Sequence, residues 1–457
     1  MKPGFRHHRR RPIFFVFWQS RDKYTTVLPR WVVSSLVLFV FAEPVSALPI
    51  FARRYETSCT TCHVVFPKLN AFGIAFRNNG YRIPLNEEKF VKTPDAALGA
   101  PAWKKLWPKA VWPGAIPGMP PIAIRVTTDL NIRPTTPVNV NFDFPNGVTA
   151  YFAGAAGDSF SYFGSIFLAG STNQIFLDRV YGQFRLTPDA PGQNLLTLKL
   201  GRIDTRAEPF SNTFRRPTAG NFGVSDFRVT ANGFGFRDHD AGVEAWGAVT
   251  GPNNRGGVEY AAGIVQGTNG RPENNNFKDY YGTVSYKIGG LGVVGSRAET
   301  VEEQPVSPEG YKEYSISFGT FAYQGKNQPV ITGVSEDWFT RSGFRMDAWL
   351  KNLNVYGAVV FGKDQLRGSA PQKINSSSVM AEADYPVLPW LMTTFRLEKT
   401  NFSDGRRNVI ETIPAINVLV RANVRVLAEG HFFNHIQVGT TERTGLNEGL
   451  VRLEFAF

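Results

Sequence analysis

From Ile122 to Phe457 the chain alternates apolar and polar residues with a period of two, segment after segment. Leu196, Leu198 and Leu200 alternate with Thr197, Lys199 and Gly201; Phe344, Met346, Ala348 and Leu350 alternate with Arg345, Asp347 and Trp349. Val418, Val420, Ala422, Val424 and Val426 alternate with Leu419, Arg421, Asn423 and Arg425 as one continuous run. Successive side chains of an extended strand point to opposite faces, so this period gives strands with one apolar and one polar face. About sixteen such segments fill the 336 residues, about one per 21. That spacing suits strands of ~10 residues joined by alternately short and long connections in a membrane barrel. The predicted fold is therefore an all-β transmembrane barrel of about 16 antiparallel strands spanning residues 122–457.

The chain ends GLVRLEFAF, with Val451, Leu453, Phe455 and Phe457 on one face and Arg452, Glu454 and Ala456 on the other. A closed barrel pairs its last strand with its first and leaves no edge in lipid. A terminal strand ending in Phe also resembles the signal read by the barrel-assembly machinery of Gram-negative outer membranes. A secreted β-sandwich or lectin-like domain alternates as well. In a sandwich, however, the face carrying Arg341, Arg345, Arg421, Arg425 and Arg452 would be dry, and unpaired charge there costs several kcal/mol or more. A polar lumen accepts these arginines.

Composition closes other routes. At 42% hydrophobic and 19% charged residues the chain is not an acidic disordered one. No apolar run of ~20 residues follows residue 50, which excludes a multi-span helical membrane protein. Ahead of the barrel, Arg30 precedes the run WVVSSLVLFVF, followed by EPVSA with small residues at Val45 and Ala47. This is the pattern of a secretory signal cleaved after Ala47, preceded by a long charged region. Residues 1–47 hold eight Lys or Arg against two Asp or Glu, so their removal halves the net charge of +12 to +6. No clustered basic face remains, and no nucleic-acid partner is predicted.

Residues 48–90 carry the strongest local signal, SCTTCHVVF. Cys59, Cys62 and His63 form C-x-x-C-H, the attachment signature of a c-type haem. Two thiols reach two vinyl groups on one porphyrin edge, and the adjacent imidazole sits under the iron as proximal ligand. A thioredoxin-like redox pair would follow a βαβ pattern, which is missing, and a zinc site would need more ligands nearby. After His63, the residues Phe66, Leu69, Phe72 and Phe76 fall at roughly helical spacing. They predict a short helix, ending near Asn79–Gly80, that packs Phe66 and Phe72 on the porphyrin. Such a small domain is below the size that folds comfortably alone; it needs the haem, the barrel or both. For the sixth iron position the candidates are Met119, in PGMPP, and His239, in the irregular stretch 205–240 that could fold into the lumen; an open position is the third possibility. His431 and His435 fall in or near a connection and are expected to face solvent. Residues 91–121, rich in Pro and Trp, cannot form one regular element and read as a linker threading the haem domain into the barrel.

The segment FARRYETSCTTCHVVFPKLNAFGIAFRNNGY, followed by a barrel of this length, resembles the fused monohaem cytochrome–porins of the bacterial outer membrane known from iron-oxidising bacteria. The resemblance is specific over residues 49–83 and architectural beyond them. It implies one covalent haem c on Cys59, Cys62 and His63. It also implies electron uptake from an extracellular donor such as Fe(II) and delivery to a periplasmic c-type cytochrome or another soluble carrier. Crossing an apolar band ~25 Å tall then requires the haem domain to enter from the periplasmic side and plug a barrel embedded in outer-membrane lipid. The competing expectation is a haem-containing porin or small-ligand sensor that mainly moves or binds solutes. A haem peroxidase would need a distal acid–base residue, for which no placement stands out.

Overall fold

Sixteen antiparallel strands close into one barrel in the computed structural model. The structure describes residues 49–457 except 85–86, 94–95, 98–104, 107–114, 117–120, 135–136, 171–174, 189, 230–231, 269–272, 274, 296–312, 327–336, 367–371, 406–407, 439–440 and 444–445. The strands are β1 (Ile122–Ile132), β2 (Val140–Ala156), β3 (Phe160–Gly170), β4 (Phe176–Arg185), β5 (Gln193–Ile203), β6 (Asp240–Thr250), β7 (Arg255–Val265) and β8 (Asp279–Leu291). They continue as β9 (Glu313–Gly325), β10 (Trp338–Lys351), β11 (Leu353–Leu366), β12 (Gln372–Leu388), β13 (Leu391–Phe402), β14 (Val409–Arg421), β15 (Val424–Val438) and β16, which is formed in two pieces, Thr441–Arg443 and Leu446–Ala456. The first strand begins at Ile122, where the Pro-rich stretch gives way to alternation.

Closure is made by β16 against β1, from Gly449 opposite Ile132 to Ala456 opposite Arg125. Phe457 extends it by exchanging backbone bonds with Ile124. No edge is left for lipid or another chain to meet, which is the condition for strands to cross a bilayer. Among the described residues no helix is long and apolar enough to cross a membrane.

The alternation resolves into an inverted distribution of polarity. Phe344 on β10 is 62% exposed and Ile416 on β14 is 50% exposed, whereas Glu244 on β6 and Arg396 on β13 are fully buried. In water this would place apolar surface outside and charge inside, the reverse of a soluble core. A bilayer around the barrel restores the usual sign of the hydrophobic effect. The sandwich alternative is therefore overturned by a closed barrel with buried charge on its inner wall.

Two details differ from the sequence reading. The run 418–426 is two strands: β14 ends at Arg421, β15 begins at Val424, and Val418 pairs with Val426. A two-residue connection preserves the parity of facing, so the alternation continues unbroken through a chain reversal. Arg421 consequently sits exposed at that turn, while Arg341, Arg425 and Arg452 are buried inside as expected.

One end of the barrel carries short turns, such as 352, 389–390 and 422–423, together with the longer 292–312 connection between β8 and β9; the other carries connections that include 204–239 between β5 and β6. The 204–239 segment folds into the lumen. Irregular backbone inside a barrel must have its polar groups satisfied, and the inner wall does this with charged side chains. Arg345 donates to the carbonyls of Arg206, Glu208 and Pro209, and Arg396 to those of Gly220 and Asn221. Glu429 accepts from the amides of Ala219 and Gly220 at 2.7 and 3.2 Å. The loop's Phe210, Phe222, Phe234 and Phe236 then pack against wall residues including Tyr323, Phe339 and Tyr356, so the middle of the lumen holds an apolar core.

Candidate haem-attachment site

The N-terminal segment is built from a short helix α1 (Ile50–Tyr55), a tight turn at Cys59–Thr61, a two-stranded hairpin pairing His63–Val65 with Lys68–Leu69, and helix α2 (Ala71–Asn78). The helix ends at Asn78 with Asn79 as its cap, at the predicted Asn79–Gly80, but it begins at Ala71, which leaves Phe66 and Leu69 outside it. Pro67 explains the difference. It has no amide hydrogen to give a helix, and its ring disfavours helical backbone at Phe66.

Asn70 organises the site, and sequence spacing gave no hint of it. Its side-chain oxygen accepts from the Gly73 amide at 2.9 Å, capping α2. Its amide group donates to the Thr60 and Thr61 carbonyls at 3.3 and 3.0 Å, and its backbone amide donates to the Cys62 carbonyl at 2.9 Å. One buried side chain thus ties the cysteine turn to the start of the helix. The turn itself is closed by Cys62 N–H donating to the Cys59 carbonyl at 3.2 Å, and Ser58 accepts from the Thr60 amide.

His63 Nδ1 donates to the Pro67 carbonyl at 3.1 Å. A backbone carbonyl on one ring nitrogen fixes the tautomer and leaves Nε2 with the lone pair, the arrangement found at metal-ligating histidines. Burial pushes the imidazole down to about 4, keeping it neutral, and pushes the Cys62 thiol up to about 12, with Cys59 adding to the effect. The two cysteines are free thiols on one turn. Cys62 adjoins an aromatic cluster of Tyr55, Phe72, Phe76 and Tyr81. The Phe66 ring lies 5.1 Å from that of His63, and the Arg125 guanidinium sits 5.3 Å from its centre. Two free thiols, an oriented imidazole and adjoining aromatic surface fit a covalently attached haem c. Cys59, Cys62 and His63 would hold it, with Phe72 near Cys62 and Phe66 near His63.

The predicted sixth ligands fare differently. Met119 lies outside the described residues. His239 does end the inward loop, but its Nδ1 bonds Asp178 on β4 at 2.8 Å, and no hydrogen bond joins it to the cysteine turn. The expectation that His431 faces solvent from a connection is corrected: it lies within β15 between Glu411 and Glu429, at 2.5 and 2.9 Å. A barrel lumen gives polar strand residues an inner wall to face, which a solvent reading of HFFNH does not anticipate.

The segment is seated against the wall at the short-turn end. Val64 and Val65 pack with Trp349 and Met392. Arg425 donates to the Phe66 carbonyl, and Leu69 N–H donates to the Phe214 carbonyl of the inward loop at 2.9 Å. Asn78 donates to Glu259 at 2.7 Å and to the Val293 carbonyl at 2.9 Å, and Tyr81 meets the Tyr181 hydroxyl at 2.7 Å. Arg82 pairs with Asp158 at 2.7 Å in the turn between β2 and β3. Of the 91–121 linker, residues 91–93, 96–97, 105–106, 115–116 and 121 are described, and there Ala96–Ala97 pairs with Ala115–Ile116.

A closed antiparallel barrel of this size, apolar outside and charged inside, is a porin-like outer-membrane barrel. Among solved structures it is similar to the trimeric outer-membrane protein OmpT of Vibrio cholerae, at 10% identity over 74% of this chain and 98% of that one, with a TM-score of 0.48. It is also similar to Salmonella typhi OmpF in complex with daunomycin, at 9% identity over 74% and 97% with a TM-score of 0.47. A third is the outer-membrane channel DcaP of Acinetobacter baumannii, at 11% identity over 74% and 96% with a TM-score of 0.43. No residue role passes from those proteins to this chain at such likeness. No protein-family model and no curated protein matches it.

Proposed function

We propose that the chain carries one haem c on Cys59, Cys62 and His63 and moves single electrons through an outer-membrane barrel. Electrons come from an extracellular donor, with Fe(II) the first candidate, and leave to a periplasmic c-type cytochrome or other soluble carrier. The observation that supports this most is the seat of the C-x-x-C-H turn: it is tied by Asn70 to a helix whose last residue, Asn78, bonds Glu259 on the inner wall of the barrel. Haem c supplies a one-electron carrier that cannot dissociate. The chain's own residues orient it through the Pro67 carbonyl on His63 and shield it with the cluster around Phe72 and Tyr81.

Short turns of outer-membrane barrels lie on the periplasmic side, so the N-terminal segment is reached from the periplasm. The apolar core formed by the inward loop favours electrons over solutes as cargo, because a solute path needs a hydrated lumen.

The test is stopped-flow mixing of detergent-purified full-length protein with ferrous iron, followed at the haem absorption bands. Reduction supports the donor assignment. Absence of reduction at every pH where Fe(II) stays soluble removes iron and, if small reductants still act, leaves a conduit for another donor.

A further inference from the structure

Beyond the cysteine turn, the lumen holds tyrosines whose hydroxyls are given to buried acids. Tyr281 on β8 donates to Glu244 on β6 at 2.8 Å, and Tyr323 on β9 donates to Asp279 on β8 at 2.8 Å. Tyr356 on β11 makes the same kind of bond to Glu382 on β12. Tyr281 and Tyr323 are themselves buried, and Glu244 and Asp279 are fully so. Burying a carboxylate is costly even when it is bonded. Phenylalanine would fill either ring position, and an apolar residue either acid position, without that cost, so packing alone does not account for the pairs.

The pairs belong to one continuous chain of contacts. Tyr323 and Tyr281 face each other across β9 and β8, their rings stacked at 5.9 Å and within 3° of parallel. Glu244, which holds the Tyr281 hydroxyl, reaches the Lys199 ammonium at 3.6 Å, and that ammonium lies 4.5 Å from the centre of the Tyr181 ring. The Tyr181 hydroxyl meets that of Tyr81 at 2.7 Å. Tyr81 belongs to the aromatic cluster against which Cys62 packs, its ring 6.4 Å from that of Phe76. Tyr323 lies two residues from the end of β9, at the same end of the barrel as the 204–239 connection. The chain of contacts therefore runs from near that mouth to the cysteine turn.

The segment bearing Cys59, Cys62 and His63 is seated at the short-turn end. One haem there leaves part of an apolar band ~25 Å tall still to be crossed. We propose that Tyr323 and Tyr281 are redox relay residues for that stretch, passing single electrons inward from the opposite mouth, with Tyr181 and Tyr81 bridging from Tyr281 to the cysteine turn. The relay rests on the electron-conduit reading above.

A phenol gives up an electron readily only when its proton leaves with it, and a carboxylate within hydrogen-bond reach takes that proton directly. At Tyr281 one electron passes inward across Tyr181 and Tyr81 to the oxidised haem of the proposed function, while the hydroxyl proton crosses to Glu244. A neutral phenoxyl and a neutral acid remain. An electron from Tyr323 refills the Tyr281 ring, and the proton returns from Glu244. Tyr323 exchanges its own proton with Asp279 in the same way and is refilled by the extracellular donor, which ends oxidised by one electron. One electron has then moved from donor to haem, with no net transfer of protons.

The test uses haem-loaded full-length protein in proteoliposomes. Insertion in both orientations presents either mouth to the outside, and protease clipping of the N-terminal segment assigns them. Ferrous EDTA, which does not cross lipid, is added outside, and haem reduction is followed optically. In molecules with the 204–239 end outward, Tyr281→Phe and Tyr323→Phe should each slow reduction at least tenfold; molecules presenting the short-turn end should be unaffected. Each acid keeps a backbone donor in these variants, the Arg206 amide at 2.8 Å on Glu244 and the Lys326 amide at 3.0 Å on Asp279, so both should fold; either one decides alone. A second readout does not involve the haem. Flash oxidation of the detergent-solubilised protein by a ruthenium(III) complex should give a neutral phenoxyl signal in electron paramagnetic resonance, at least halved in Tyr281→Phe with Tyr323→Phe. An unchanged rate in a folded variant, or a phenoxyl signal kept in full by the double variant, overturns the relay and leaves the conduit standing. Parent protein whose haem is never reduced from the 204–239 end fails the conduit reading, and the relay with it.

Discussion

Lys68 of the N-terminal hairpin and Asp384 on β12 are 316 residues apart in sequence and form an ion pair in which both side chains are almost inaccessible. The Lys68 ammonium also donates to Asn354 at 2.6 Å and sits 4.4 Å from the centre of the Tyr356 ring. A buried pair of this kind adds little net stability over an apolar substitute, but losing one partner strands the other charge. Lys68→Met should therefore cost about 3–5 kcal/mol, borne by the seat of the N-terminal segment while the strand ladder persists. Limited proteolysis should clip that segment faster than in the parent, and Lys68→Met with Asp384→Asn should restore part of the resistance. Equal clipping of parent and single variant would count against this anchor.

Asn70→Ala removes the cap of α2 and the bonds to Thr60 and Thr61 together. A lost cap alone costs about 1 kcal/mol, and two turn carbonyls lose their donor besides. The expected outcome is a lower fraction of chains carrying covalent haem, read by mass spectrometry of protein made with the haem-attachment machinery present, whereas Asn70→Asp should keep the cap but not the carbonyl bonds and fall between.

Gly73 lies where any β-carbon would collide with the Cys62 carbonyl oxygen. The side-chain-free position lets α2 approach the cysteine turn this closely. Gly73→Ala should destabilise the segment by about 1–3 kcal/mol through overpacking, seen as a lower first unfolding transition with barrel strand content unchanged in circular dichroism.

Glu208, on the inward loop, is pushed up to about 8, chiefly by burial and against the bonds it accepts from Asn212. Its proton is bound more tightly in the folded chain than in the unfolded one, so its contribution is fully present below the ordinary glutamate range and is lost as pH rises toward 8. Stability should fall by up to roughly 1 kcal/mol per pH unit across that window and level off above it. Glu208→Gln should flatten the slope; thermal unfolding from pH 5 to 9 in both proteins measures it.

The barrel was legible because alternation is a local property of strands, and parity decides facing even when a run such as 418–426 turns a corner unnoticed. The C-x-x-C-H pattern is legible because it lies within five consecutive residues. What supports that motif was not. Asn70 acts through backbone atoms eight to ten positions earlier, and Lys68 through a strand three hundred residues later, and neither relation has a spacing rule. Helical periodicity alone places Phe66 in the helix because it ignores Pro67, and nothing local to His431 distinguishes a lumen from water.

The inward loop bears on whether anything larger than an electron crosses. Phe234 lies 4.5 Å from the Tyr323 ring and 4.6 Å from that of Phe339, and Phe236 lies 5.5 Å from Phe321, all centre to centre. These contacts bring two loop aromatics onto two wall strands, β9 and β10, and fill the middle of the barrel with apolar side chains. Truncating them, as Phe234→Ala with Phe236→Ala, removes about 3–5 kcal/mol of packing at each position, yet the loop stays tethered where Arg396 and Glu429 hold residues 219–221. Water then replaces the lost aromatic volume. In planar lipid bilayers the parent protein should show little ion conductance and the double variant a stepwise increase, with closure of the barrel unaffected. High conductance in the parent would mean that the loop leaves the lumen in a membrane, and would favour solute passage over an insulated electron path.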